Sequence, residues 1–289
     1  MFTGAMVALV TPFHEGEIDF RTLDELVEFH LANGTDAIVP AGTTGESPTL
    51  SHQEHKLVIE RVVKAASKKA PVIAGAGSNS TAEAVELTAY AKKIGADATL
   101  QVAPYYNKPT QEGFYQHFST IAERVDLPVV LYDIPGRCAA GMTVDTIVRL
   151  SELENIVAIK DATGRLDHSS EIACRCDMTI LSGDDSLTLP IASIGGKGVI
   201  SVVANIVPAD VKAMTDLILE GDLSAARQWH KKLFALSKGL LSLATNPIPI
   251  KAAMSLLNMA PAEMRLPMTP LAEDKKTVLR KALEDYGLL

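Results

Sequence analysis

Short runs of Val, Ile and Ala recur along the chain roughly every 25 to 30 residues, each followed by a polar turn and an amphipathic stretch of helical period. That alternation predicts parallel strands joined by helical crossovers. The runs fall near Ala5 to Val10, Asp36 to Ala41, Pro71 to Gly75, Ala98 to Ala103, Pro128 to Asp133, Ile156 to Lys160, Thr179 to Ser182 and Gly198 to Val202. Eight such units predict an α/β fold, a closed (β/α)8 TIM barrel rather than an open sheet. The expected barrel covers residues 1–221. Residues 222–289, with helical stretches around Trp229, from Pro247 to Leu257 and from Lys275 to Tyr286, read as a C-terminal helical segment packed on the barrel.

Local signals agree with this alternation. Ser51 with Glu54, and Ser80 with Glu83, each have the spacing of a capping box at a helix start. After the second, Ala84, Leu87, Ala91 and Ile94 form one apolar stripe. A net charge of -8 argues against a nucleic-acid or acidic-membrane surface, because those partners need clustered Lys and Arg. The chain's 3 cysteines, Cys138, Cys174 and Cys176, give no disulfide framework and point to a reducing compartment, with Cys174 and Cys176 expected to be packing residues. The opening segment lacks a basic stretch before its apolar run and lacks spanning length, so the expected location is the cytoplasm.

Chemistry is expected where polar residues end apolar strands. In Ile156-Val157-Ala158-Ile159-Lys160, alternation puts Lys160 on the face of Ile156 and Ala158. If Ile159 packs on the helices, Lys160 points into the barrel at the C-terminal end, where this fold builds its sites. Burial would lower its pKa from ~10.4 and free a nucleophilic amine. A strand-end Lys that pairs with Asp161 or reaches the rim is the bland alternative. Tyr132 ends the preceding strand and could move a proton, or could be a core tyrosine bonded at the rim. The loop Ala41-Gly42-Thr43-Thr44-Gly45-Glu46-Ser47 adds two hydroxyls at the same barrel end. It lacks the spacing and Lys of a phosphate loop. His52-Gln53-Glu54-His55 lacks the spacing of a helical zinc pair, so no metal is expected and both histidines read as surface residues.

Taken together, Gly42-Thr43-Thr44-Gly45-Glu46, Tyr105-Tyr106-Asn107-Lys108-Pro109, Tyr132 with Pro135-Gly136-Arg137, and Ile159-Lys160-Asp161-Ala162-Thr163 resemble the dihydrodipicolinate synthase family of pyruvate-dependent aldolases. Leu181-Ser182-Gly183-Asp184-Asp185, Gly198-Val199-Ile200-Ser201 and Asn246-Pro247-Ile248-Pro249-Ile250-Lys251 extend the resemblance over nearly the whole chain. It implies a lyase in which Lys160 forms a Schiff base with pyruvate, whose enamine then attacks L-aspartate 4-semialdehyde to give 4-hydroxy-tetrahydrodipicolinate, on the route to diaminopimelate and lysine. It further implies a relay of Tyr132, Thr43 and Tyr106, the last from a neighbouring subunit. Thr44 and the Ile200 backbone would hold the pyruvate carboxylate, and Arg137 the carboxylate of the aldehyde.

No dissociable cofactor is implied. The resemblance also implies a homotetramer built as a dimer of dimers, and inhibition by L-lysine at Ser47, His52, His55, Asn79, Glu83 and Tyr105. Glu83 alone would read as a helix cap. Two positions depart from the family pattern: Asp133 stands where Asn is usual, and Cys138-Ala139 where Thr-Gly is usual. Alternation should turn Asp133 away from the pocket, so altered loop packing or kinetics is expected. A sialic-acid or 2-keto-3-deoxy-sugar acid lyase would use the same Lys160 and Tyr132, but Arg137 and the paired tyrosines argue against it. A non-catalytic lysine sensor would not need the Lys160, Tyr132 and Thr43 set.

Overall fold

The computed structural model describes residues 2–289; Met1, where the expected barrel segment begins, lies outside them. Eight parallel strands form one sheet: β1 (Gly4–Ala8), β2 (Ala37–Val39), β3 (Ile73–Gly75), β4 (Ala98–Val102), β5 (Val129–Asp133), β6 (Ile156–Asp161), β7 (Thr179–Ser182) and β8 (Gly198–Ser201). Neighbours pair in the order β2-β1-β8-β7-β6-β5-β4-β3. The two ends of that order meet through an isolated bridge between Ile38 and Val72, which closes the barrel. Gly75 is required at this seam. A Cβ there would lie 2.3 Å from the Ala41 carbonyl oxygen.

The crossovers supply α1 (Phe20–Ala32), α2 (His52–Ala66), α3 (Thr81–Ile94), α4 (Gln111–Arg124), α5 (Val144–Ser151), α6 (Leu166–Arg175), α7 (Thr188–Ser193) and α8 (Pro208–Leu219). Strand alternation divides the apolar side chains into two layers. Met6, Val39, Ile73, Leu100, Val130, Ala158, Leu181 and Ile200 fill the barrel, while Leu131 and Ile159 face the helices. A ribbon of Phe13–His14 with Glu17–Ile18 precedes α1, and the sequence offered no alternation long enough to find it.

Three further helices follow: α9 (Leu223–Leu241), α10 (Ile248–Leu256) and α11 (Glu273–Tyr286). Asp222 caps α9 by accepting from the Ala225 N–H. Leu233, Leu236, Leu279 and Leu283 join the same apolar cluster as Val7 and Val211, so this segment adds to the barrel's outer core.

Two local expectations need correction. The Ser51 and Glu54 box is complete, but at α3 only half forms: Ser80 accepts from the Glu83 N–H while the Glu83 carboxylate turns to Ser78 and His52. Cys176 is half-buried, whereas Cys174 is exposed and does not pack, because α6 turns His168, Ser169 and Ile172 inward.

Candidate functional site

Lys160 on β6 lies in register with Tyr132 on β5 and Leu181 on β7. Ile159 is fully buried on the helix side, so the lysine points into the barrel, where it is 5% exposed. Its Nζ sits 4.2 Å from the centre of the Tyr132 ring. Burial pushes the amine down to about 8, partly opposed by the negative charges of Asp184 and Asp185 just beyond β7. A usable fraction is therefore neutral near pH 7. The strand-end pair with Asp161 does not form, since Asp161 faces the other side and bonds Thr163, Ser169 and His168.

Tyr132 is buried, which pushes its phenol up to about 12 against a hydrogen bond from the Thr43 side that pulls it back. It keeps its proton at neutral pH and can pass one along without becoming a phenolate. Thr43 and Thr44 sit on the loop after β2, which turns through left-handed backbone at Ala41 and Glu46. Three contacts fix this loop. The Thr11 hydroxyl donates to the Gly45 carbonyl at 2.7 Å, and Asn246 donates to the Thr44 hydroxyl at 2.9 Å. The Lys251 ammonium reaches Glu46 Oε1 at 2.5 Å with both side chains 1% exposed.

Ile200 lies in the barrel-lining layer opposite Met6. Arg137 is exposed on a one-turn helix, Pro135–Cys138, and its guanidinium donates to the Asn246 carbonyl at 2.9 Å and the Thr245 hydroxyl at 3.3 Å. Tyr106 is not brought to Lys160 within the chain. It is 89% exposed, on backbone with φ of 72°.

A cavity of about 400 Å³ runs from the loop to α2 and α3, and its walls include Thr43, Arg137, Ser47, His55, Glu83 and Tyr105. His52 also lines it, with Nε2 3.0 Å from Glu83 Oε1. His55 is no surface residue, contrary to the bland expectation. It is buried, burial depresses its pKa, and its Nε2 lies 2.6 Å from the Gly75 carbonyl, which requires a donor there. Asn79 stands outside the lining and donates to the Tyr105 carbonyl at 3.2 Å. Thus Glu83 is aimed into a cavity and is not the cap its sequence position predicts.

Sequence reasoning missed Asn246, Lys251 and Glu46 as supports of the threonine loop. Their partners lie about 200 residues away, and no local pattern reports that; the separation for the ion pair is 205. Among the described residues, no group of three or more His, Cys, Asp and Glu could hold a metal ion, and no helix is long and apolar enough to cross a membrane.

A sequence model of the Dihydrodipicolinate synthetase family matches residues 1–286. The 4-hydroxy-tetrahydrodipicolinate synthase of Geotalea daltonii is 50% identical over 291 residues, covering 100% of both chains. A chloride-inhibited dihydrodipicolinate synthase from Acinetobacter baumannii, complexed with pyruvate, superposes with a TM-score of 0.98 at 44% identity, covering 100% of each chain. The dihydrodipicolinate synthase of Cyanidioschyzon merolae with lysine bound gives 0.95 at 43% identity, covering 100% of this chain and 99% of that one.

Proposed function

Because this chain belongs to the dihydrodipicolinate synthetase family, we propose that its barrel mouth is the site of 4-hydroxy-tetrahydrodipicolinate synthesis, with Lys160 as the nucleophile. The enzyme is a lyase that condenses pyruvate with aspartate semialdehyde. The observation that carries the site assignment is a lysine buried inside the barrel, with its amine held near 8 and a tyrosine ring directly over it.

The neutral Lys160 amine attacks the ketone carbon of pyruvate, and the carbinolamine loses water to give the Schiff base. A methyl proton then leaves to the Tyr132 and Thr43 relay, the C–H pair forms the enamine double bond as the imine pair moves to nitrogen, and the enamine attacks the aldehyde carbon, whose oxygen takes a proton. The amino group of the semialdehyde then displaces the Lys160 nitrogen from the imine carbon, which closes the ring and frees the amine. Tyr132 and Thr43 hand protons to and from these oxygens. Tyr106 completes that relay from a neighbouring subunit of a homotetramer, which its exposure and left-handed backbone support. Thr44 and the Ile200 backbone hold the pyruvate carboxylate. Arg137 holds the carboxylate of the semialdehyde in a forked contact.

The cavity lined by Ser47, His52, His55, Glu83 and Tyr105 takes L-lysine as an inhibitor, with Glu83 meeting an ammonium and Asn79 setting the Tyr105 wall. The lysine-bound relative supports this ligand class. Residues 222–289 are an extension of the catalytic domain, and the free thiols suit a cytoplasmic enzyme.

Borohydride reduction with pyruvate should place a lactyl-type adduct on Lys160, and an aldehyde panel should favour aspartate semialdehyde over sugar-acid aldehydes. An adduct on another lysine would refute the nucleophile, and a preference for sugar-acid aldehydes would refute the substrate. Calorimetry with L-lysine should show binding that Glu83→Ala weakens. No heat at millimolar lysine would remove the regulatory site.

A further inference from the structure

The residues after Tyr132 and Lys160 are both acids. Asp133 follows Tyr132 and Asp161 follows Lys160, and alternation turns both behind the barrel wall, where they pair in register. His168 on α6 lies against the two, with Nδ1 3.0 Å from Asp161 Oδ2 and Nε2 4.0 Å from Asp133 Oδ2. All three side chains are buried.

The two acids are unequally supplied with donors. Asp161 accepts from the Thr163 N–H and hydroxyl, from the Ser169 hydroxyl and from His168. Asp133 receives one backbone N–H, that of Met142, shared between its oxygens at 3.3 and 3.4 Å. So little solvation disfavours its charge. Burial pushes the carboxyl up to about 7, against the pull of His168. His168 Nδ1 faces a carboxylate and Nε2 faces the Met142 carbonyl at 3.4 Å, and both acceptors call for a donor. Burial works against the resulting imidazolium, but the hydrogen bond and charge of Asp161 outweigh it and raise its pKa.

Both peptide groups of Met142 are thereby held, its N–H by Asp133 and its carbonyl by His168. The chain between Asp133 and Met142 carries Arg137. It makes the one-turn helix, reverses at Ala139 with φ of 56°, and returns tightly over its own start. A Cβ on Gly141 would stand 2.7 Å from Pro135 Cγ and 3.2 Å from Asp133 Oδ1. The segment is a closed loop, and the Asp133 side chain is its latch.

On the basis of the reaction assigned above, we propose that Asp133 and His168 are positioning residues for its aldehyde half: they clamp Met142 and so hold the 134–142 segment that presents Arg137. Neither touches substrate. A cavity of about 550 Å³ behind the barrel wall is lined by Asp133, Met142 and His168 and by neither Lys160 nor Tyr132.

The other charged groups around that cavity are Asp145 from α5, Arg165 before α6, and Asp167, Glu171 and Arg175 from α6 itself. Arg175 is occupied by Asp145 and Glu171. Cys138 approaches Asp133 from the one-turn helix, but burial pushes its thiol up to about 11 and leaves it uncharged near neutrality. Below about pH 7 Asp133 takes a proton and loses its attraction for the Met142 N–H and the imidazolium. The latch holds best above that pH.

The test is the pH profile of kcat/KM for aspartate semialdehyde at saturating pyruvate, divided by the fraction of enzyme trapped as the pyruvate adduct on Lys160, in wild type, Asp133→Asn and Asp133→Ala. Both quantities scale with the amount of Lys160 adduct present, so the ratio isolates the aldehyde half. In wild type the ratio should fall below about pH 7. Asp133→Asn can still accept the Met142 N–H and should lose this fall. Asp133→Ala has no latch, and its ratio should drop on the order of ten- to a hundredfold at every pH, as expected for a misplaced binding group. A wild-type fall retained in Asp133→Asn, a wild-type ratio in Asp133→Ala, or equal loss of adduct and turnover would overturn the clamp. A wild-type enzyme that forms no adduct would instead overturn the reaction assignment and the clamp with it.

Discussion

Replacing Lys160 with methionine should stabilise the folded chain while it abolishes the pyruvate adduct. The amine is lowered from 10.5 to about 8 by burial, with Asp184 and Asp185 offsetting only part of the effect. The folded chain thus binds this proton less tightly than the unfolded chain does. Folding carries a penalty that is greatest below pH 8 and fades as pH rises toward 10.5. At about 1.4 kcal/mol for each tenfold change in proton affinity, the penalty is ~3 kcal/mol at pH 7 and ~2 kcal/mol at pH 9. Methionine has a similar length and no charge, so it removes the penalty with little change in packing. Thermal unfolding of variant and wild type at both pH values is the assay. A gain of ~3 kcal/mol corresponds to roughly 6 to 12 °C in a chain of this size, and the gain should be smaller at pH 9. An unchanged or lower Tm at pH 7 would show that the ammonium is fully compensated in place, and burial would no longer explain its reactivity.

Arg137→Ala should cost ~1.5 to 3 kcal/mol of transition-state binding, seen as a roughly ten- to hundredfold fall in kcat/KM for aspartate semialdehyde with the pyruvate adduct intact; wild-type kinetics would dismiss Arg137 as the recognition group. Tyr106→Phe and Lys160→Ala subunits should recover activity when mixed, because one hybrid site then holds both wild-type side chains, and no recovery in demonstrated hybrids would confine Tyr106 to its own barrel. Lys251→Met should destabilise by ~3 to 5 kcal/mol because it strands the Glu46 carboxylate in the interior. Adding Glu46→Gln should return part of that loss, and a double variant as unstable as the single one would contradict the pairing.

The strands were legible because their periodicity is a property of neighbouring residues. Each expected strand overlaps an observed one, with ends displaced by at most two residues. Lys160 was legible for the same reason, since one charged residue at the end of Ile156-Val157-Ala158-Ile159 has its face fixed by Ile159. Contacts between distant segments were not. Nothing beside Thr44 announces Asn246, and nothing beside Glu46 announces Lys251. Glu83 shows the complementary failure, because a sequence spacing that suits a helix cap also suits a carboxylate turned toward Ser78 and His52. Alternation turned Asp133 outward correctly, but the phase of α6 that delivers His168 to it depends on how that helix docks.

The barrel is not equally stiff around its circumference. Seven strand junctions are ladders of two or more paired residues, one of them shifted in register between Val129 and Val130, whereas β2 and β3 meet through an isolated bridge and a bond from the Gly75 N–H to the Pro40 carbonyl. Strain imposed on a closed ring gathers at its weakest joint, and here that joint carries load from both sides. The loop bearing Thr43 leaves the end of β2, and the last carbonyl of β3, that of Gly75, is gripped by His55 from the wall of the neighbouring cavity. A molecule bound in that cavity would bear on His55 and, through its bond to Gly75, on the seam that leads to the threonine loop.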